Sequence, residues 1–528
     1  MERRNAGNWS VRDDRVLAQA ARDAGLWSDT TLADALRDAA KSEPERVLLI
    51  DGETRVTANL LLHDAQALAG AMQARMEKGS VVSFMLPNWH EAAVIYLAAT
   101  LAGMVANPIL PSLRAHDLRF ILPDAGTRMI FVPQEFRGFE CAEMVRGVVA
   151  EMEQRADVVV VRGNAGPSLS YPALCSSQDG LATVALDPDD VRMLMYTSGT
   201  TGRPKGVLHT HNTINALIAQ IGEHWLVEPG DSFLVSSPVS HIGGSIYAFE
   251  APLLLGTSAI LMERWEPAEA LEHMRNHRIT HMAGATPFLQ HLLDAAKAAC
   301  TDLPDLKVFI CGGASVPPLL IREASDHFAN ARVTRVYGST EVPVTTVGSL
   351  TSKGMDEAAD TDGKPGIAEV ILGEASEIRA RGPQMLAGYL HPEDEESAFD
   401  EQGFYRTGDQ GELTASGHLV VTGRIKDLII RNGENIAPKE VEDLLLGHPD
   451  ITEIAIVGIP DQRTGEKACA VIVPRDGATP DVASLGAYMA GFGVARFKYP
   501  ELVDLRGNLP KNDAGKVLKH ILREELSS

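Results

Sequence analysis

The chain of 528 residues carries 71 acidic and 48 basic side chains, which gives it a formal net charge of −23. A surface this negative argues against functions that depend on non-specific binding to nucleic acid or anionic membranes, since both partners are polyanions. It also means that an anionic ligand needs a site that is locally positive.

Hydrophobic residues make up 45% of the chain, as in ordinary globular proteins. The length allows roughly two to four domains. Five scattered cysteines without a Cys-x-x-Cys pair indicate reduced thiols. The N-terminus lacks the apolar stretch of a signal peptide, and no apolar run reaches the length of a membrane span. We therefore expect a cytoplasmic protein with no stable membrane insertion and no nucleic-acid partner.

Residues 1–28 are polar and mixed, and we interpret them as a helix. The segments that follow alternate between the apolar spacing of helices and short apolar runs typical of strands. Up to residue 104 the predicted elements are a helix from 29 to 40, a strand at 46–50 that enters a hairpin turn, a helix at 57–76, a strand at 81–86 and a helix at 88–104.

Further along, continuous apolar strands are separated by helical stretches. Strands are predicted at 105–110, 129–132, 158–161, 191–195, 232–235, 259–261, 281–283, 308–311 and 334–337, and helices at 118–122, 268–277 and 288–300. This alternation favours parallel sheets that are covered by helices on both faces. In open sheets of that kind, ligands bind beyond the carboxyl ends of the strands.

The pattern changes at Glu369, where short alternating runs predict a small antiparallel β-region. After Asp427 the chain has the pattern of a compact α/β unit that ends in a helix at 516–525. We therefore predict an α/β protein with two domains. A large N-terminal domain, 1–426, has parallel-rich sheets covered by helices plus the small β-region, and a smaller, mobile α/β domain spans 427–528.

The segment most typical of a binding site is Tyr196-Thr-Ser-Gly-Thr-Thr-Gly-Arg-Pro-Lys-Gly206. Its glycines let backbone N–H groups converge on an anion, while its hydroxyls and Lys205 add donors and a positive charge. It is not a Walker A loop, because Pro204 separates Arg203 from Lys205. The segment favours polyphosphate binding, although a surface turn rich in glycine and threonine is the alternative.

Two further turns follow predicted strands. In Tyr337-Gly-Ser-Thr-Glu341, the carboxylate of Glu341 suits a hard cation such as Mg²⁺, and an N-cap is the alternative. In Cys311-Gly-Gly-Ala-Ser-Val316, the glycines allow a flat ring to approach the backbone, and a tight strand-to-helix turn explains them equally well.

Two segments near the predicted domain boundary carry charged side chains. In Tyr405-Arg-Thr-Gly-Asp409, predicted to be a turn, Asp409 could accept hydrogen bonds from both hydroxyls of a ribose, with an Asx turn as the alternative. In the segment 423–436, Arg424 could reach ribose or phosphate, Asp427 could act as a hinge, and Asn432-Gly433 predicts a type I′ turn. A plain interdomain hairpin is the alternative for this segment.

These segments resemble, in the same order, the motifs of the adenylate-forming superfamily, which contains acyl-CoA synthetases, peptide-synthetase adenylation domains and luciferases. Two more segments share the resemblance: Pro510-Lys-Asn-Asp-Ala-Gly-Lys516 and Ser237-Pro-Val-Ser-His241-Ile-Gly-Gly244. Taken alone, Lys516 would be a solvated tail lysine and His241 a hydrogen-bonded core residue. Relatives that activate 2-hydroxy-aryl acids often have asparagine directly after this histidine, where this chain has Ile242.

The resemblance implies ATP, Mg²⁺ and CoA as cofactors and assigns a role to each matching residue. Lys516, Glu341 and His241 would be catalytic, and Glu341 with Thr201 would hold Mg²⁺. Nucleotide and CoA would be bound by Thr197, Ser198, Gly199, Thr200, Thr201, Gly202, Lys205, Gly313, Ala314, Tyr337, Gly338, Ser339, Thr340, Asp409, Arg424, Lys426 and Gly433.

The resemblance further implies an acyl-CoA synthetase that forms acyl-AMP and then a thioester, with Gly433 lining the tunnel for the thiol. The N-terminal half is similar to ligases for cyclohexanecarboxylate or medium-chain acids, so we expect a medium-chain, cyclic or aromatic carboxylate. The alternatives are an enzyme that loads a carrier protein, a luciferase-like oxygenase and a non-catalytic binding protein. A homodimer and an acetyltransferase acting on Lys516 are additional expectations.

Overall fold

A computed structural model describes residues 2–176, 180–197, 203–313, 316–350, 354–475, 477–511 and 515–527. Two large, mostly parallel sheets lie on either side of buried helices, and an antiparallel sheet and a C-terminal α/β unit complete the fold. The predicted fold class is confirmed. The boundary between 426 and 427 stays a prediction.

The first large sheet has eight strands. The first six in spatial order pair in parallel, and the last two pairings of the sheet are antiparallel. In spatial order they are Leu169–Ser170, Asp157–Val160, Thr127–Val132, Val81–Phe84, Val105–Pro108, Val191–Thr197, Lys205–Thr210 and Gly388–Tyr389. The last strand comes from a distant part of the chain, and it brings Tyr389 opposite Val207. Val207 lies in the strand at the end of segment 196–206, which we call the phosphate loop after its predicted role.

The second large sheet has seven strands, and all but the final hairpin pair are parallel. In spatial order they are Arg332–Val336, Val308–Gly312, His281–Gly284, Ser232–Val235, Ser258–Leu261, Val47–Asp51 and Thr54–Thr57. The predicted hairpin after residue 50 is therefore confirmed.

The largest hydrophobic core lies between the two sheets and joins side chains of both. Its central helix, His90–Leu101, is buried at every position from Glu91 onward, which is typical of a helix enclosed by protein on all sides. Helices Leu32–Ser42 and Ala58–Gln73 pack in the same core.

The remaining helices cover the sheets or connect their strands. They are Arg15–Asp23, Ala115–Asp124, Cys141–Glu151, Tyr171–Cys175, His211–His224, Ile242–Ser245, Ala251–Leu254, Pro267–Asn276, Thr286–Ala298, Pro318–His327 and Met355–Asp360, with a π-helix at Ile246–Glu250 and 3₁₀ turns at Glu374–Ser376 and Pro392–Glu395. Two short hairpins, Arg3–Ala6 with Trp9–Arg12 and Glu135–Phe136 with Phe139–Glu140, complete this part.

The antiparallel β-region consists of Glu369–Leu372, Glu377–Arg381, Tyr405–Leu413 and Leu419–Arg424. The prediction that residues 405–409 form a turn is wrong, because they lie in the third strand. The local signal was misleading since Gly408 has a positive φ of 71° and the pairing register shifts between Gln410 and Gly411.

The C-terminal unit contains a five-stranded mixed sheet. Its strands are Ile429–Arg431, Glu434–Ile436, Ile451–Asp461, Gly465–Pro474 and Leu502–Leu505, its helices are Pro438–Leu445, Val482–Ala490 and Lys519–Leu526, and 3₁₀ turns lie at Ile425–Asp427 and Arg496–Lys498. The last helix begins at Lys519, so the prediction that Lys516 belongs to it is wrong.

The prediction of a single helix for residues 1–28 is also wrong. A hairpin comes first, with Gly7 at a φ of 63° in its turn, and the helix begins only at Arg15. The hairpin attaches to the large domain through the Arg12 N–H, which donates to the Ala387 carbonyl at 3.1 Å. In the part of the chain that the structure describes, no helix is both long and apolar enough to cross a bilayer.

Candidate active site

The phosphate loop connects two antiparallel strands at one end of the eight-stranded sheet. Thr197, the last residue of the first strand, pairs with Lys205, the first residue of the second. Ser198, Gly199, Thr200, Thr201, Gly202 and Ala314 lie outside the described residues.

The cations of the phosphate loop both face one carboxylate. Lys205 Nζ lies 3.6 Å from Asp394 Oδ1, and the Arg203 guanidinium lies 2.8 Å from Asp394 Oδ2. Lys205 Nζ also lies 5.1 Å from the centre of the Tyr389 ring, within cation–π range. The two cations at the end of the loop therefore share the carboxylate of Asp394 in this structure.

Glu341 lies beside the phosphate loop because two contacts fix the segment that carries it. His209, on the second strand of the loop, contacts the Thr340 carbonyl at 2.8 Å through Nε2. Burial lowers the pKa of His209 to about 4, so the imidazole is neutral and Nε2 carries the donated proton. The Leu386 N–H donates to the Glu341 carbonyl at 2.7 Å.

The carboxylate of Glu341 is held by a tyrosine. The Tyr389 hydroxyl donates to Glu341 Oε1 at 3.0 Å and lies 3.1 Å from the Tyr405 hydroxyl. Burial raises the pKa of Tyr389, and the charge of Glu341 raises it further, so this hydroxyl stays protonated. A buried carboxylate that is fixed in this way is an oxygen ligand that suits Mg²⁺.

A second tyrosine–carboxylate chain lies at the end of the seven-stranded sheet. The Tyr337 hydroxyl donates to Asp409 Oδ2 at 2.7 Å, and Arg424 Nε donates to Asp409 Oδ1 at 2.9 Å. Burial by itself lowers the pKa of Arg424, but the charges of Asp409 and Asp427 raise it overall. The predicted ribose carboxylate and its predicted cationic neighbour are therefore in direct contact.

The Tyr337–Glu341 segment turns tightly, which explains its glycine. A Cβ on Gly338 would lie 2.6 Å from the Val344 nitrogen, so a larger residue would displace the backbone. The Tyr337 N–H donates to Thr346 Oγ1 at 2.8 Å, and the Ser339 N–H donates to the Val342 carbonyl at 3.2 Å. Gly313, with a φ of 83°, directly follows the neighbouring strand Val308–Gly312, and a Cβ on it would meet nothing within 4 Å.

Lys516 belongs to the C-terminal unit. We use "the cleft" for the region bordered by Glu341, Asp409, Arg424 and Lys516. The residue before it, Gly515, packs against Pro287 of the large domain, whose Cγ would lie 3.5 Å from a Cβ at this position. Burial, followed by the charge of Arg424, lowers the pKa of Lys516 to about 8 against the opposing charges of Asp409 and Asp427. The structure thus brings Lys516 to the same place as the Asp409–Arg424 pair.

His241 keeps part of its surface exposed, although neighbouring protein atoms surround its imidazole closely. Burial lowers its pKa, and the charge of Lys516 lowers it further, so the imidazole is neutral at pH 7. His241 is the N-cap of helix Ile242–Ser245, whose Gly243 N–H donates to its Nδ1 at 3.3 Å. A π-helix follows directly, a feature that is frequent at functional sites.

The chain matches the AMP-binding enzyme family over residues 36–390 and the AMP-binding enzyme C-terminal domain over residues 440–516. The chain belongs to the AMP-binding enzyme family. The predicted membership is therefore confirmed, and with it the prediction of an enzyme.

Two relatives of this AMP-binding enzyme, and the solved structure of a similar protein, are informative. A medium-chain fatty-acid–CoA ligase of Escherichia coli K12 is 34% identical over 96% of this chain and 92% of its own. A 2,3-dihydroxybenzoate-AMP ligase of Bacillus subtilis is 31% identical over 97% of this chain and 96% of its own. The structure of o-succinylbenzoate CoA synthetase from Bacillus subtilis with ATP and magnesium has a TM-score of 0.80 at 25% identity, covering 94% and 99% of the two chains.

Two predicted site residues of the AMP-binding enzyme, Gly433 and Lys426, are exposed to solvent in this arrangement. Gly433 and Asn432 form the two-residue turn between Ile429–Arg431 and Glu434–Ile436, with φ values of 83° and 50° that suit the predicted type I′ turn. A Cβ on Gly433 would meet nothing within 4 Å, so the turn faces solvent. Lys426 is exposed on the 3₁₀ turn Ile425–Asp427.

Sequence reasoning missed three residues that shape the site of this AMP-binding enzyme: His209, Tyr389 and Asp394. The strand Gly388–Tyr389 is only two residues long, and its pairing with the phosphate-loop strand spans a large distance in sequence. A Gly-Tyr pair or a single aspartate carries no signal of its own. Only the assembled sheet brings these side chains to the loop.

Proposed function

We propose that this AMP-binding enzyme activates a carboxylic acid with ATP and transfers the acyl group to CoA. A carboxylate oxygen attacks the α-phosphorus of ATP, which forms acyl-AMP and releases pyrophosphate. The CoA thiol then attacks the acyl carbonyl, loses its proton, forms the thioester and releases AMP. The observation that carries this proposal is the Asp409–Arg424 ion pair of 2.9 Å, whose charges act on Lys516.

In the first step two anions must come together, so positioning and charge neutralisation carry the catalysis. The ammonium of Lys516 would contact the substrate carboxylate and the α-phosphate. Asp409 would accept the ribose hydroxyls, while Lys205 and the loop 197–202 would hold the phosphates. Glu341 and Thr201 would hold Mg²⁺, which supplies charge neutralisation at the phosphates when it is bound.

In the second step Lys516 must leave the cleft so that a thiol can enter. A rotation of the C-terminal unit about Asp427 would withdraw Lys516 and carry the turn at Gly433 toward the thiol path. The exposed position of Gly433 in the present arrangement supports this proposal, since the turn has no cleft contact to lose. The motion acts as a gate between the two half-reactions.

For the substrate we propose a medium-chain, cyclic or aromatic carboxylate. The name of the Escherichia coli relative supports a medium-chain acid. The wall behind His241 supports an apolar acyl group, because Tyr247 and Phe249 of the following π-helix are buried among Trp225, Phe233 and Phe84.

The second candidate is an acid-adenylating enzyme that loads the phosphopantetheine thiol of a carrier protein. The 2,3-dihydroxybenzoate-AMP ligase supports the adenylation step of this candidate, although Ile242 replaces the asparagine common in such enzymes.

A single assay series separates the two candidates. The purified enzyme is incubated with ATP, Mg²⁺ and a panel of linear, alicyclic and aromatic acids, and pyrophosphate release identifies the acid. With that acid, thioester formation is measured with free CoA and with a phosphopantetheinylated carrier protein. We expect turnover with CoA; turnover with the carrier alone would favour the second candidate, and no pyrophosphate release with any acid would contradict both.

A further inference from the structure

One ion pair joins the turn at the proposed hinge to the last helix of the chain. The carboxylate of Asp427 accepts a hydrogen bond from the Arg523 guanidinium, and both side chains are partly buried. Asp427 ends the 3₁₀ turn that leaves the antiparallel β-region and packs against its strand Tyr405–Leu413, whereas Arg523 lies on the last helix. The two residues are therefore close in space although 96 residues separate them in the chain.

The helix that carries Arg523 is firmly part of the C-terminal unit. Leu522, its neighbour, is fully buried against Ala455, Val457 and Cys469 of the C-terminal sheet. Lys519, one turn earlier, forms an ion pair of 2.6 Å with Glu442 on helix Pro438–Leu445. Arg523 must consequently move with the C-terminal sheet whenever that sheet moves.

The same helix fixes the position of Lys516. The Leu518 N–H donates to the Pro510 carbonyl at 2.8 Å, and Lys511 forms a β-bridge with Val517. Lys516 is thus held at the start of a short, hydrogen-bonded connection to the helix of Arg523. The orientation of this helix relative to the hinge decides whether Lys516 points into the cleft.

We propose that Arg523 is a positioning residue for the adenylation step. Its ion pair with Asp427 holds the C-terminal unit in the orientation that places Lys516 in the cleft. A rotation about the Asp427 backbone carries Arg523 away from the carboxylate, so the pair is lost in the thioester-forming orientation. This inference rests on the proposed function, and it adds the contact that selects between the two orientations.

The chain offers a matched control that contacts the same helix. Arg506, directly after strand Leu502–Leu505, forms ion pairs with Asp504 and with Glu525 of the helix, but it does not contact the turn at the hinge. R506Q therefore removes an arginine that stabilises the last helix and leaves the hinge contact intact. R523K keeps the positive charge and serves as the conservative rescue.

The kinetic test measures the two half-reactions separately in R523Q, R523K and R506Q. Adenylation is followed by exchange of labelled pyrophosphate into ATP, and thioester formation by thiolysis of supplied acyl-AMP. We expect R523Q to slow adenylation about tenfold, the effect of losing one charged hydrogen bond, while thiolysis stays equal or becomes faster. R523K recovers most of the adenylation rate, and R506Q leaves both rates within twofold of the wild type.

A double-mutant cycle identifies the partner. If Arg523 acts through Asp427, then R523Q combined with D427N slows adenylation no more than R523Q alone. If the two substitutions instead slow adenylation independently, so that their fold-losses in rate multiply, the assignment of Asp427 as the partner is overturned. An equal loss of both half-reactions in R523Q would also overturn it, since that result indicates a merely structural role.

A third measurement needs no substrate acid and so separates this inference from the proposed function. Trypsin can cleave the hinge after Arg424 and Lys426, and the Asp427–Arg523 pair should slow this cleavage. We expect hinge cleavage several times faster in R523Q than in wild type or R506Q, with an unchanged melting temperature. Equal cleavage rates in all three proteins would overturn the inference even if the enzyme forms acyl-AMP.

Discussion

Two tyrosine–carboxylate pairs determine the chemistry of the cleft at the level of single residues. Tyr389 donates to Glu341 and Tyr337 donates to Asp409, and burial raises the pKa of both tyrosines. A tyrosine that stays protonated donates its hydroxyl proton to the carboxylate, so each pair holds the carboxylate in a fixed orientation. Such fixed charges suit a reaction in which phosphate groups are held and neutralised.

Lys516→Ala tests the residue that joins the two halves of the site. We expect the variant to lose nearly all acyl-AMP formation, because the cation that faces the substrate carboxylate and the α-phosphate is gone. Thiolysis of supplied acyl-AMP should remain close to the wild-type rate. Both rates are measured in one preparation, and an equal loss in the two half-reactions would contradict the assignment.

The pH dependence of adenylation follows from the pKa of the same residue. Burial and Arg424 lower the pKa of Lys516 from 10.5 to about 8 in the ligand-free enzyme. The charged form is the active one, so kcat/KM for adenylation is maximal below the lowered pKa and falls as the pH rises through about 8. In the pH profile of kcat this decline should move to higher pH, because the phosphates of bound ATP stabilise the ammonium form of Lys516. A kcat/KM profile that stays flat to pH 10 would contradict this role of Lys516.

Tyr389→Phe removes the hydroxyl that donates a hydrogen bond to Glu341, the proposed Mg²⁺ ligand. We expect adenylation to slow about tenfold, since a hydrogen bond to a charged group is lost, and we expect a higher Mg²⁺ concentration for half-saturation. The binding of Mn²⁺ with ATP, followed by electron paramagnetic resonance, gives a readout that is independent of turnover. Tyr171→Phe, at a partly buried tyrosine on helix Tyr171–Cys175, is the control; equal Mn²⁺ affinity in both variants would contradict the role of Tyr389.

The residues of the site were largely predictable from sequence, but their partners were not. Glu341, Asp409, Arg424 and Lys516 all lie in segments with a distinctive pattern, and the structure brings these residues to one cleft. Asp394 lies in no such segment, because its role depends on which cations the folded chain places beside it. Their catalytic roles stay predictions until half-reactions are measured.

At the level of elements, one buried asparagine connects the two large sheets at the loop that leads to His241. Asn88 Nδ2 donates to the Val235 carbonyl at 3.1 Å and to the Ser237 carbonyl at 2.9 Å. Its Oδ1 accepts from the Val239 N–H at 2.8 Å. The loop then packs closely on the following helix, since a Cβ on Gly244 would lie 2.1 Å from the Pro238 carbonyl oxygen.

Asn88→Ala should therefore destabilise the protein and disturb the loop. We expect the free energy of unfolding to fall by about 2–4 kcal/mol, because buried backbone groups lose their partners. Asn330→Ala is the control, since this exposed asparagine makes one hydrogen bond of 3.2 Å to the Pro304 carbonyl and should change stability by less than about 0.5 kcal/mol. Urea unfolding of both variants measures the difference, and equal midpoints would contradict the role of Asn88.

Local patterns predict strands and helices well where one face of the element is strongly apolar. They fail where a glycine or a pairing with a distant segment determines the secondary structure. The strand Val191–Thr197 and the turn at Asn432-Gly433 were predicted correctly. The pattern of residues 1–28 predicts a helix where the structure has a hairpin, because the apolar residues Ala6 and Val11 are buried by residues distant in sequence, such as Leu208. The pattern of residues 405–409 predicts a turn where the structure has a strand, because Gly408 interrupts the alternation of the strand.

At the level of the whole molecule, two sheets share one layer of buried helices, and the cleft forms where both sheets meet the C-terminal unit. The alternation of strands and helices predicted parallel sheets, but it could not predict that they divide into two with a common core. That division depends on long-range strand order. Net charge, by contrast, could be interpreted directly: a molecule with a charge of −23 gathers Arg203, Lys205, Arg424 and Lys516 around one cleft.

The most direct test of this account is acid-dependent exchange of labelled pyrophosphate into ATP. The reaction requires the cleft to bind ATP, to accept a carboxylate and to form acyl-AMP reversibly, and it needs no assumption about the thiol. We predict exchange that appears only with an organic acid of the proposed class and Mg²⁺. Absence of exchange with every linear, alicyclic and aromatic acid tested, in protein shown to be folded, would contradict the assignment of this cleft as an acid-adenylating site.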